Sequence, residues 1–131
     1  MRISYFSKSK SQDDLFLLYK ALGWADMLNL EKEQLNMAME NSCHAVYAYD
    51  GDKLVGTGRI LTDGALHTYL CGLGVIKEYR NRGIGAEITK CLTEYCELNG
   101  LKAQLNCEEK MVPYYEKLGF EKFSIGMKKL L

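Results

Sequence analysis

Arg80-Asn81-Arg82-Gly83-Ile84-Gly85 is the stretch that decides how this chain folds. It follows an apolar run, Leu73 to Ile76, that reads as a buried strand, and it precedes a long amphipathic helix starting near Gly85. A strand, a glycine-rich turn and a helix N-terminus in succession make an anion site. The first amides of a helix have no intrahelical acceptor, and the helix dipole adds partial positive charge there. Glycine lets a ligand approach the backbone without a Cβ in the way. Two flanking arginines can add charge-assisted bonds to phosphate oxygens. The stretch therefore reads as a diphosphate cradle, although a turn of this composition also occurs with nothing bound.

Two familiar phosphate loops are excluded by the letters. A nucleotide-hydrolysing loop ends in Lys-Ser/Thr, and that pair is missing here. A dinucleotide fingerprint needs a third glycine, but Gly83-Ile84-Gly85 runs into Ala86-Glu87-Ile88.

Composition narrows the class further. The 131 residues are enough for one domain with a real core, and 47% are apolar against 26% charged, as in ordinary globular proteins. With 17 basic and 17 acidic side chains, no overall field favours nucleic acid or an anionic membrane. No apolar run reaches membrane-span length and no signal-peptide pattern opens the chain. The five cysteines (Cys43, Cys71, Cys91, Cys96, Cys107) are odd in number and lack Cys-x-x-Cys spacing. They read as reduced, mostly buried thiols, giving a cytoplasmic expectation. His44 and His67 flank no cluster of ligands, so no metal is expected.

The element pattern is mixed. Ile3 to Phe6 reads as a strand. Ser11-Gln12-Asp13-Asp14 reads as a capping box before a helix bearing Leu15, Leu18, Tyr19 and Leu22, which Gly23 closes. Asn29 is expected to cap a second helix with Leu35, Ala38 and Met39 on its buried stripe. His44 to Tyr49 and Lys53 to Leu61 form a hairpin around Asp50-Gly51-Asp52, and His67 to Ile76 is the next strand. Ile88, Cys91, Leu92, Tyr95 and Cys96 share one helical face that ends at Asn99-Gly100. Lys102 to Cys107 reads as a strand with Ala103, Leu105 and Cys107 inward. A short helix at Tyr114-Tyr115 and a terminal strand or hairpin from Phe120 to Leu130 complete the order.

Two motifs carry a family resemblance. R-x-R-G-x-G at Arg80 to Gly85 resembles the acyl-CoA loop of the GNAT superfamily of N-acetyltransferases. Met111-Val112-Pro113-Tyr114-Tyr115-Glu116-Lys117-Leu118-Gly119-Phe120 is similar to that superfamily's aromatic-Tyr-x-x-x-Gly-Phe segment. Pro113 suits a first helical turn and Gly119 a helix end with positive φ, independently of the likeness. The resemblance runs from Val46 to the C-terminus. It implies an α/β fold, a mixed, mostly antiparallel sheet flanked by helices, as a single domain over residues 1–131.

The resemblance also implies a site. Acetyl-CoA would be the cosubstrate, held by Arg80, Arg82, Gly83, Ile84, Gly85 and Ala86, with the Leu73 amide at the thioester carbonyl and Val75 along the pantetheine arm. Gly72 and Gly74, two glycines within one strand, mark a bulge or a close backbone approach in their own right. Tyr115 matches the general acid beside the sulfur. The family's base positions hold Tyr69 and Cys71, neither a good base near neutral pH. That leaves ordered water, with His67 or Tyr69, to take the proton. Glu108 stands where the family often has an Asn contacting the arm, and Asn106 lies two residues earlier.

The acceptor would be a primary amine, on a small molecule or a protein, met by the segment Tyr19 to Leu30. Trp24 and Asp26 are candidates there, although Trp24 also fits as a core plug and Asp26 as a cap. Arg59 could pair with Asp63 or with a substrate carboxylate, or be a strand-surface charge. The activity implied is acetyl transfer by direct attack; the alternative is a non-catalytic acyl-CoA-binding or sensing module. A homodimer through the terminal strands is left open.

Overall fold

A computed structural model describes residues 2–131 of the chain. Its elements are β1 (Ile3–Phe6), α1 (Asp14–Leu22), α2 (Trp24–Leu28), α3 (Lys32–Glu40), β2 (His44–Asp50), β3 (Lys53–Thr62), β4 (Thr68–Val75), α4 (Ile84–Leu98), β5 (Ala103–Gln104) and α5 (Val112–Lys117). Short 3-10 turns at Lys77–Tyr79 and Glu109–Met111 precede α4 and α5. One five-stranded sheet runs β1-β2-β3-β4-β5, antiparallel up to β4 and parallel between β4 and β5. This is the expected mixed, mostly antiparallel α/β arrangement.

Alternation along β3 sends its side chains to two different layers. At Gly56 and Gly58 the sheet meets α4: a methyl built on Gly58 would stand 3.0 Å from both Ile88 and Leu92. The missing side chains let α4 sit low on the sheet, where Ile84, Ile88, Leu92 and Cys96 are buried. The opposite face carries α1 to α3, with Leu15, Leu18, Tyr19, Leu35 and Met39 in the core. Buried Thr57 is satisfied by donating its hydroxyl to the Val46 carbonyl at 2.8 Å.

Several local expectations are corrected. No capping box forms at Ser11 to Asp14: Asp13 is the N-cap residue and makes no side-chain cap bond. The Asp14 carboxylate instead accepts the Tyr49 hydroxyl at 2.7 Å, a partner 35 residues away. Asn29 does not open a helix. It closes α2 in the left-handed region at φ 51°, and Leu30 N–H bonds back to the Ala25 carbonyl, a Schellman-type ending. The capping box sits at Glu31 and Gln34, at the start of α3. Asp26 caps nothing and lies exposed in the first turn of α2.

The C-terminal third also differs. The expected strand Lys102 to Cys107 is hydrogen-bonded only at Ala103–Gln104, and no strand or hairpin forms from Phe120 to Leu130. A strand exists only where a neighbour accepts its ladder, and this stretch faces residues 102–107 across a cleft without forming one. Of the cysteines, only Cys96 is buried; Cys71 and Cys91 are half-buried, and Cys43 and Cys107 are exposed.

Tyr49, fully buried, joins α1 to β2 by accepting the Lys10 amide at 2.8 Å while donating to Asp14. Tyr49→Phe leaves both partners unserved, and the expected cost is about 1–3 kcal/mol, read as a lower urea midpoint with an unchanged slope.

Candidate active site

The site begins where β4 loses a neighbour. β5 pairs with β4 only at Thr68 and Tyr69, so the β4 edge from Leu70 to Val75 is open on that side. On its other side the register with β3 slips: Thr57 faces Gly74 and Arg59 faces Cys71, so Gly58 opposes both Gly72 and Leu73. Gly72 takes φ 63°, a conformation costly for any other residue. This is the bulge anticipated from the paired glycines, and it leaves Leu73 outside the ladder.

Beyond β4 the chain turns through Lys77–Tyr79 into the glycine loop. Arg80 folds back, its Nε donating to the Val75 carbonyl at 2.9 Å. Arg82 lies over the Tyr79 ring at 5.3 Å, and the Tyr79 hydroxyl donates to Asp50 at 2.5 Å. Asn81 and Gly83 both have positive φ, and Gly83 is the cap from which α4 starts at Ile84. The first intrahelical bond runs from Glu87 N–H to the Gly83 carbonyl. The amides of Ile84, Gly85 and Ala86 thus sit in the helix's first turn, where no intrahelical acceptor exists. Their setting suits an anionic group approaching the end of β4.

α5 places its two tyrosines differently. A methyl built on Gly85 would stand 2.9 Å from the Tyr114 hydroxyl oxygen, so this side chain reaches the glycine loop. Tyr115 packs edge to face against Tyr114 (5.0 Å) and Phe120 (5.9 Å). Burial, then the neighbouring Tyr114 and Cys107, push the Tyr115 pKa above its ordinary 10.0. Tyr115 also lines a cleft of about 710 Å³ between residues 102–107 and 119–126, which Leu73, Val75 and residues 80–86 do not line.

The opposite face of β4 carries the aromatic wall. A methyl on Gly74 would lie 2.6 Å from the Trp24 ring, which meets Tyr19 edge to face at 5.2 Å. Trp24 is therefore half-buried over the strand rather than enclosed in the core. Arg59 is neither a surface charge nor a partner of Asp63. It is half-buried, with Nη1 donating to the Tyr19 hydroxyl at 3.5 Å. Asp63 Oδ1 instead accepts the amides of Ala65, Leu66 and His67, which hold its carboxyl below the usual range.

The base candidates are weak in place as well as in type. His67 and Tyr69 are exposed and stack at 6.3 Å, while burial pushes the Cys71 thiol up. Glu108 pairs with Lys110 and Glu109 with Lys122 on the surface, and Asn106 is exposed. Sequence reasoning missed the Tyr114 hydroxyl at the loop and the Tyr19 hydroxyl at Arg59. For Tyr114 the only signal was its adjacency to Tyr115; for Tyr19 there was none, since both contacts span distant elements.

The family model described as Acetyltransferase (GNAT) family matches residues 10–120, and the chain belongs to that family, whose fold carries acyl transfer from acetyl-CoA. An uncharacterized N-acetyltransferase of Bacillus subtilis (strain 168) is 33% identical over 98 residues, covering 73% of this chain and 69% of that protein. Another from Bacillus pumilus (strain SAFR-032) is 29% identical over 87% of this chain and 76% of its own length. The solved structure of a GNAT-family acetyltransferase from Streptococcus pneumoniae TIGR4 superposes with a TM-score of 0.81 at 28% identity, covering 99% and 98% of the two chains. Among the described residues, no helix is long and apolar enough to cross a membrane.

The bulge makes its own test. A methyl on Gly72 would stand 2.3 Å from Arg59 Nη1 and would be forced to φ 63°. Gly72→Ala is expected to cost about 2 kcal/mol, of which roughly half, the left-handed backbone contribution, persists in an Arg59→Ala background. A double-mutant cycle in urea reads both contributions.

Proposed function

We propose that this chain transfers an acetyl group from acetyl-CoA to a primary amine by direct attack. The observation that carries the reading is the open β4 edge from Leu70 to Val75, ending beside the unpartnered amides at the start of α4. A thioester on a long arm with a diphosphate at its far end needs that combination. When bound, the coenzyme supplies the activated acyl group.

The chain's own residues divide the remaining work. Amides from Gly83 to Ala86 hold the diphosphate, and Arg80 and Arg82 add charge at the loop. Val75 offers backbone to the pantetheine arm. The Leu73 amide donates to the thioester carbonyl oxygen, whose charge grows as nitrogen attacks; such a donor is worth roughly 3–4 kcal/mol in the transition state. The new N–C bond forms as the C–S bond breaks. Water near Tyr69 and His67 takes one proton from the ammonium before attack; Tyr115 gives its proton to the departing sulfur and is restored, through water, by the second proton that the acylated nitrogen loses. The absence of a carboxylate or imidazole at Tyr69 and Cys71 favours one other reading, a module that holds acyl-CoA without turnover.

Thiol release from acetyl-CoA with a broad amine panel separates the two. Amine-dependent release supports the enzyme; saturable coenzyme binding without release supports the module. Tyr115→Phe is expected to lower kcat by about 100-fold with little change in coenzyme affinity. Because burial raises the Tyr115 pKa above 10.0, its proton is retained through neutral and mildly alkaline pH. The rate should therefore rise with pH as the amine loses its proton, without falling before about pH 10, and His67→Gln should leave that profile unmoved if water alone takes the proton.

A further inference from the structure

Arg59 is a cation that the fold brings inside without an anion. Its Nε is buried and has no hydrogen-bond partner among the described residues. Its contact with the Tyr19 hydroxyl, 3.5 Å long, is at the outer limit for a hydrogen bond. Among the described residues no carboxylate comes within ion-pair distance of it. Cys71, its direct partner across the β3–β4 ladder, is held protonated by burial, and Tyr19 is likewise kept neutral by burial. A half-buried guanidinium whose Nε is buried without a partner, among neutral groups, weakens the fold, because the desolvation of that N–H is not repaid.

Its position gives that cost a use. Arg59 Nη1 lies against Gly72, the residue before Leu73, and on the face of β4 that also carries Trp24 over Gly74. The Leu73 side chain turns to the other face, toward Gly58 and α4. A ligand held by Arg59 therefore sits across the bulge from α4, beside an aromatic wall and level with the Leu73 amide. A guanidinium offers paired donors suited to a carboxylate or a phosphate.

We propose that Arg59 is the specificity-determining group of the acceptor site, and that the acceptor is a small primary amine carrying a carboxylate or phosphate a few bonds from its nitrogen. The inference rests on the acetyl-transfer reading for the identity of the site, but the anion subsite can be tested without it. The anion would pair with the accessible part of the guanidinium, and Tyr19 would hold that group in place. Arg59 then sets which amines bind, rather than carrying any proton.

Matched probes isolate the anionic group: β-alanine against β-alaninamide for carboxylate, and O-phosphoethanolamine against ethanolamine for phosphate. Thiol release is followed at saturating acetyl-CoA, and binding to the coenzyme-loaded and free protein is followed by calorimetry. The wild type is expected to favour the anionic member of one pair by about 10- to 100-fold in kcat/KM, and the pair that discriminates names the anion. Arg59→Met should erase that preference, mainly through KM, while raising Tm, since a half-buried cation with an unserved Nε is removed. Arg59→Lys, which keeps the charge but loses the fork, should recover only part of the preference.

Equal use of both members of both pairs by the wild type overturns the proposal, as does a lysine peptide used as well as the best small amine. A preference that survives Arg59→Met, or a fall in Tm with no change in preference, also overturns it. If no amine releases thiol, the acetyl-transfer reading fails by itself. Calorimetry on the free protein then decides: anionic amines that bind the wild type and not Arg59→Met sustain the subsite, and the absence of such binding ends it.

Discussion

Backbone amides and carbonyls on β4 have to be satisfied by something, and from Leu70 onward the sheet supplies a neighbour on one side only. The proposed site follows from that shortfall. β5 pairs with β4 at two residues and then leaves, while the bulge at Gly72 takes Leu73 out of the ladder with β3. The strand thus keeps its place in the fold yet retains polar backbone for a ligand. An ordinary fully paired strand would have none to give.

The proposed site also needs a receptive helix terminus at the right distance along β4. Packing arranges this. With no side chains at Gly56 and Gly58, Ile88 and Leu92 bring α4 down onto the sheet. The helix axis is then fixed by its buried face, so its first turn must lie where β4 ends. The connection adds rigidity: Arg80 closes onto the Val75 carbonyl, and Tyr79 is tied to Asp50 at the end of β2. The loop's conformation is accordingly a consequence of tertiary packing, while its chemistry comes from its own sequence.

That division explains what could be read from the letters. The glycine loop, the hairpin around Gly51, the α4 period and the Gly72 bulge are all written within a few residues, and each formed where expected. Errors arose where the deciding partner was distant or where the local letters fitted two outcomes. Asp14 has the letters of a helix cap, but the hydroxyl of Tyr49 arrives from 35 residues away and takes its carboxylate. Asn29 fits both a start and an end, and only the Leu30–Ala25 bond chooses the end. Residues 102–107 alternate as a strand should, yet alternation fixes a face and cannot supply a neighbour. Arg59 is the sharpest case: its residue type is that of a surface charge, and its burial is set by Tyr19 and the bulge together.

The electrostatics around β4 are local, because the chain as a whole has no net charge. On one side, positive potential comes from helix amides and two exposed arginines, all of which water can solvate when nothing is bound. On the other, half-buried Arg59 has less such relief, and its Nε has none. The hydroxyls nearest it in charge terms, Tyr19 and Tyr47, are both driven toward the neutral form by burial, Tyr47 to about 12. No group there can offer a compensating anion at physiological pH. Any anion that binds Arg59 therefore stabilises the folded chain by more than its contacts alone would suggest, since it also relieves a penalty already present in the free protein. By linkage, an anion that binds the folded chain at this position raises its stability, and does so more as its concentration rises above Kd.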